Sequence, residues 1–120
     1  MAPNTQPFKK PHLTDIQLGW VCGFLEGEGS FGAYQTNKNS SKKYQRIQAG
    51  STDRENLVRL KTLLGGTICE MKPREGRENN KTMYLWAISA HEQAKGTMKL
   101  LREHMTPRRQ LQIDKALAGS

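Results

Sequence analysis

The sequence has only two cysteines, Cys22 and Cys69, and neither stands in a CxxC or Cys/His ligand spacing. A disulfide framework and a cysteine-built zinc site therefore have no support, and both side chains are expected as reduced, buried thiols. No apolar run approaches the roughly 20 residues that a membrane span needs, and Met1 to His12 lacks the apolar centre of a secretory signal. The expectation is a chain that is not secreted and has no membrane partner. Acidic residues are scarce too, 11 against 19 Lys and Arg, which leaves a formal charge of +8. Such an excess commonly marks a phosphate-rich partner, with a solvated basic face as the plainer reading.

What is present fits one folded domain. The length, 120 residues, with 35% hydrophobic residues, allows a single modest core, read as residues 13–120 behind a flexible arm at 1–12. The basic surplus sits in the middle: residues 38–81 hold eleven Lys and Arg against five acids, whereas residues 1–37 hold two against three. Thr14 with Gln17 is a capping-box pattern opening a helix to about Gly27. Residues 30–38 and 43–51 alternate as two strands of a hairpin. Thr52 with Glu55 then predicts a second helix, carried by Leu57, Leu60 and Leu64 and stopped at Gly65-Gly66. Residues 67–73 and 81–88 predict a second hairpin, and Ser89 with Glu92 a third helix, with Thr106-Pro107 starting a helical tail. The order αββαββα implies an α+β fold with helices on one face of an antiparallel sheet. No internal repeat is visible.

One segment resists explanation as ordinary core. Gly19, Gly23 and Gly27 fall four residues apart on one helical face, and each interior glycine costs about 1 kcal/mol relative to alanine. Removing Cβ along a line suits the close approach of another helix backbone. Glu26 and Glu28 then sit where the helix dipole disfavours anions by roughly 0.3–1 kcal/mol each, so a positive group should offset them. Glycines on both sides of Glu28 leave it open to a cation or a phosphate. Oxygen ligands with no His or Cys beside them suit Mg²⁺ better than zinc. A helix merely ended by Gly27 and Gly29, with both glutamates solvated, accounts for one glutamate and one glycine but not for the whole segment.

The stretch Val21 to Gly29, VCGFLEGEG, followed by Ser30-Phe31, resembles the motif that names the LAGLIDADG homing endonucleases. Ile47 to Gly66 is similar to the strand-then-helix segment of that family, and Met105 to Leu117 resembles its basic C-terminal segment. The resemblance implies a αββαββα fold with a DNA-binding β-saddle, and an acidic metal ligand at Glu28 joined by the carbonyl of Gly27. One motif per chain implies a homodimer with Gly19, Gly23 and Gly27 at its seam. The implied activity is Mg²⁺-dependent cleavage of double-stranded DNA at a palindromic or pseudo-palindromic target, with Mn²⁺ or Ca²⁺ able to take the same site. It further implies intron homing, no small-molecule substrate, and work inside the cell wherever the target DNA lies, in bacterial or phage cytoplasm or an organelle. Arg108 and Arg109 match the family's basic residues that stabilise the phosphate, and Ser51 stands where many relatives carry a water-positioning glutamine. Glutamate replaces aspartate at both acidic positions, and Cys22 replaces a small alanine. The alternative is an RNA maturase or DNA-binding regulator of the same fold that does not cut.

Alternation puts Tyr34, Thr36, Lys38, Tyr44, Arg46 and Gln48 on the sheet face away from the helices, a polar, basic and aromatic surface. Arg and Gln suit bidentate contacts to guanine and adenine in the major groove. Lys42, Lys43, Lys72, Arg74, Arg77 and Lys81 are expected on phosphates, which position without specifying. His91 and His104 read as helix-end histidines, and Trp20, Tyr84 and Trp86 as packing residues.

Overall fold

The capping box at Thr14 forms as its spacing predicts: the Thr14 hydroxyl accepts from Gln17 N at 3.1 Å, and Gln17 Oε1 accepts from Thr14 N at 2.9 Å. In the computed structural model, which describes residues 7–35, 42–71 and 82–119, this box opens α1, Asp15–Glu28. No loop separates α1 from β1, Gly29–Gln35. The Gly29 N–H turns back to Leu25 O, and a Cβ at Gly29 would lie 2.7 Å from that oxygen, so the junction requires glycine. The remaining elements are β2 Lys43–Ser51, α2 Arg54–Leu64, β3 Thr67–Met71, β4 Met83–Ile88, α3 His91–Arg102 and α4 Pro107–Ala118.

Two caps differ from expectation. Helix α2 is capped by Asp53, whose carboxylate accepts from Glu55 N at 3.1 Å, rather than by Thr52; Ser51 Oγ accepts from Asp53 N and sets that turn. Helix α3 starts behind Ala90 with no side-chain cap, because Ser89 lies one position too early.

The strands form one antiparallel sheet in the order β1-β2-β4-β3. Phe31, Ile47, Ala49, Trp86 and Ile88 all point to one face, where they meet Val21 and Leu25 of α1, Leu57 and Leu60 of α2, Met98 and Leu101 of α3, and Ile113 of α4. Full burial of such a side chain contributes about 1.5–3 kcal/mol, and this layer is where the fold gains most of it. The α+β fold with helices on one face of the sheet is therefore as expected, and no described helix lies across the opposite face. Trp86 is fully buried, and its indole N–H donates to Gly65 O at 2.9 Å.

The segment before α1, expected to be a flexible arm, is docked in its described part. Lys9 and Gln93 exchange two hydrogen bonds of 2.9 Å, and the Phe8 ring covers Gly96 so closely that a Cβ there would clash.

Helix α4 is tied to every layer. Gln45, buried in β2, donates to Ala116 O at 3.0 Å; Gln112 Oε1 accepts from Phe31 N at 3.2 Å; and Arg102 of α3 grips Asp114 with two hydrogen bonds of 2.7 and 2.8 Å. The tail of the sequence is thus built into the fold over the end of α1.

Candidate metal centre and nucleic-acid interface

The two glutamates of the motif have different fates. Glu26 reaches the N-terminus of α4, where its carboxylate accepts from Thr106 N and Thr106 Oγ, each at 2.8 Å. Arg108 Nη2 and Arg109 Nε lie 3.7 and 3.8 Å from Glu26 Oε2. The Thr106 backbone N–H holds the Glu26 carboxyl below its usual 4.5, with the Thr106 hydroxyl and both guanidiniums adding to the effect against partial desolvation. The positive offset that the helix dipole demands is therefore supplied for Glu26 from within the chain.

Glu28 has none. Its side chain is exposed and makes no hydrogen bond or ion pair with the described residues, and no basic residue stands in the last turn of α1. A carboxylate at a helix carboxyl end, without a partner, is an electrostatically unfavourable arrangement that a cation would relieve. Among the described residues no group of three or more His, Cys, Asp or Glu could by itself hold a metal ion. One carboxylate still fits Mg²⁺, which keeps several waters and is completed by one or two carboxylates and substrate phosphates.

The glycines leading to Glu28 are open. A Cβ built on Gly19, Gly23 or Gly27 meets nothing within 4 Å, and Ile16 on the same face is 82% exposed. Beside this line runs a groove of about 460 Å³ lined by Gly19, Cys22, Gly23, Glu26, His104 and Thr106. A glycine line that packs against nothing among the described residues draws no support from the monomer's stability, since each position gives up helix propensity.

No protein-family model and no curated protein matches the sequence. Solved structures do match in shape. The archaeal intron-encoded homing endonuclease I-Vdi141I, complexed with DNA, superposes at TM-score 0.60 with 19% identity over 79% of this chain and 61% of that one. The homing endonuclease I-CvuI, complexed with its target in the presence of Ca, gives 0.60 and 16% over 79% and 60%. The group I intron-encoded I-CeuI, also complexed with DNA, gives 0.67 and 13% over 92% and 56%. The chain has the LAGLIDADG homing-endonuclease fold. It spans less than two thirds of each of these neighbours.

Within the homing-endonuclease fold the other expected residues separate clearly. Arg109 is turned inward, its side chain 9% exposed, donating through Nε to Glu26 O at 3.0 Å and through Nη1 to Gln112 Oε1 at 2.8 Å. Arg108 is 72% exposed and only grazes Glu26 O, at 3.4 Å. Since Gly29 pairs with Ala49, Ser51 ends β2 at the same end of the sheet as Glu28. Its oxygen is occupied by Asp53 N, and its hydroxyl proton remains to donate.

On the sheet face away from the helices the register sets Tyr34 opposite Tyr44 and leaves Arg46 and Gln48 beside them on β2. Lys42 Nζ lies 5.6 Å from the Tyr44 ring centroid, and His91 packs its ring 5.0 Å from the same ring. Lys43 begins β2 on an exposed position. Thr36, Lys38, Lys72, Arg74, Arg77 and Lys81 lie outside the described residues. Cys22 is buried as expected, and burial, with the Glu26 charge adding, pushes its thiol up to about 11; Cys69 corrects the expectation, because its outward strand position leaves it exposed. The sequence marks Thr106 only as the start of a helix, and nothing in it links Thr106 to Glu26, 80 residues away.

Proposed function

We propose that this chain is a member of the LAGLIDADG homing endonucleases: a homodimer that cuts both strands of DNA at a palindromic or nearly palindromic site. One observation carries the reading. A line of open glycines on α1 ends at Glu28, a motif carboxylate that, unlike Glu26, has no partner among the described residues. Two copies of α1 packed through Gly19, Gly23 and Gly27 would close both glycine lines, cover Ile16, and bring two copies of Glu28 to a common axis.

Glu28 and the carbonyl of Gly27 would hold a divalent ion, Mg²⁺ with Mn²⁺ or Ca²⁺ as substitutes. Bound there, such an ion supplies Lewis-acid stabilisation of the phosphate and lowers the pKa of a water. The chain's own residues do the rest. Arg108, exposed at the start of α4, offers its guanidinium to the phosphate whose charge grows during hydrolysis. Arg109 holds the Glu26 carbonyl and so fixes where α4 starts relative to the motif. Ser51 can donate its hydroxyl proton to a water at the same end of the sheet. Tyr34, Tyr44, Arg46 and Gln48 face base edges, and Lys42 and Lys43 face phosphates. Neighbours crystallised with DNA, one of them in the presence of Ca, support the DNA partner and the use of a divalent ion.

The test incubates the protein with a randomised duplex library, with and without Mg²⁺, beside Glu28→Gln. Expected is metal-dependent cutting at one nearly palindromic sequence, lost in the variant, by a protein that sediments as a dimer. Sequence-selective binding with no cutting under any divalent ion would replace this reading with that of a DNA-binding regulator, and selective binding of RNA alone with that of a maturase.

A further inference from the structure

The outward face of the sheet changes character halfway across. On β1 and β2 it carries Tyr34, Tyr44, Arg46 and Gln48, whereas on β4 and β3 it carries Met83, Leu85, Cys69 and Met71. The register sets Cys69 opposite Leu85 and Met71 opposite Met83, so the four side chains form one patch. None of them serves the core. Met71 and Met83 are 49% and 42% exposed, Cys69 is exposed, and Leu85 is half-buried yet packs outside the core cluster. The patch is continuous with the polar half, since β4 pairs with β2 and the Met83 sulfur leans over Gly50 of β2, 3.6 Å from where its Cβ would be.

We propose that this patch makes the β3–β4 half of the sheet a reader of thymine 5-methyl groups; the proposal rests on the DNA-binding reading above. Of the groups that base pairs display in the major groove, only the thymine methyl is apolar; the rest are hydrogen-bond donors and acceptors. Two thioethers, a thiol and an isobutyl group offer those donors and acceptors nothing. Over either kind of pair the patch would desolvate donors and acceptors without replacing their water, and only a T·A pair offers a methyl whose burial offsets that cost. Flexible, polarisable Met side chains can follow such methyls. The two halves of the sheet would then read by different chemistry, hydrogen bonds from β1–β2 and apolar contact from β3–β4.

The test begins with the whole chain selecting its preferred duplex from a randomised library, by binding in Ca²⁺. Each thymine of that site is then replaced singly by deoxyuridine, which removes only the methyl. A cluster of thymines in each half of the site is expected, with affinity falling about fourfold per methyl lost, the worth of one buried methyl. Met83→Gln and Met71→Gln, both at exposed positions, should keep the wild-type melting temperature, lose the uracil penalty, and shift preference toward adenine, which glutamine can hold by two hydrogen bonds. A selected site without such thymines, uracil tolerated at every position, or variants that keep the full penalty would overturn the inference. Failure to bind any duplex would bring down the DNA-binding reading as well, whereas selective binding blind to the methyl groups would remove this inference alone.

Discussion

The carboxylate of Glu26 receives both the backbone N–H and the hydroxyl of Thr106, at 2.8 Å each, and so caps a helix that begins 80 residues further along the chain. Two residues on, Glu28 caps nothing. Identical side chains on one helix end are thereby divided between holding the fold and facing outward.

Removing the Glu26 carboxylate leaves Thr106 N and the first turn of α4 without their acceptor. Glu26→Ala should cost about 2 kcal/mol, the upper range for losing a helix cap, measured as a shift in urea midpoint. Glu26→Gln keeps one acceptor oxygen and should cost less than half of that.

Stability should also fall in acid. The folded-state pKa of Glu26 is depressed, so its contribution is complete above the usual carboxylate value of 4.5 and is lost as pH falls through the lower folded value. Asp114, held down by its hydrogen bonds from Arg102, adds in the same direction. Urea midpoints taken from neutral pH downward should be flat and then drop below that value, and Glu26→Gln should drop less.

Glycine substitutions on α1 should have opposite signs within six residues. At Gly23 an added Cβ meets nothing in the chain, so Gly23→Ala should stabilise the monomer by up to about 1 kcal/mol through helix propensity. At Gly29 it meets Leu25 O at 2.7 Å, and Gly29→Ala should destabilise by about 1–3 kcal/mol. The bulkier Gly23→Leu should leave the monomer folded by circular dichroism while abolishing the dimer in sedimentation. A dimer that survives this change would place the seam elsewhere.

Thiol chemistry should separate the two cysteines. Cys22 is buried with its thiol pushed up to about 11, so near neutral pH only Cys69 should react with an alkylating reagent in the native protein, and both in urea. Rapid labelling of Cys22 in the native protein would mean that α1 does not stay packed on the sheet.

Much of this was legible in the residues because the signals are local. The Thr14 box, the leucines of α2 and the alternation through Ile47 and Ala49 each lie within a few positions, and the element order followed from them. The candidate site was legible only where its residues are contiguous, from Gly19 to Glu28. What escaped depends on partners far apart in sequence. Arg108 and Arg109 are adjacent and chemically identical, and only the packing of Gln112 and the Glu26 carbonyl against one of them makes it a buried tie. Cys69 has the composition of a core residue, but its place on an outward strand position exposes it.

The many ties of α4 also bear on the order in which the fold can be completed during synthesis. The motif helix leaves the ribosome before α4, and Glu26, the Phe31 N–H and the Gln45 amide all wait for groups between Thr106 and Ala116. Until α4 has emerged, the sheet can pair and the leucines of α2 can collapse onto it. Glu26 then still lacks the Thr106 groups that it caps, so the contact between the end of α1 and α4 is a late event that follows translation of Thr106.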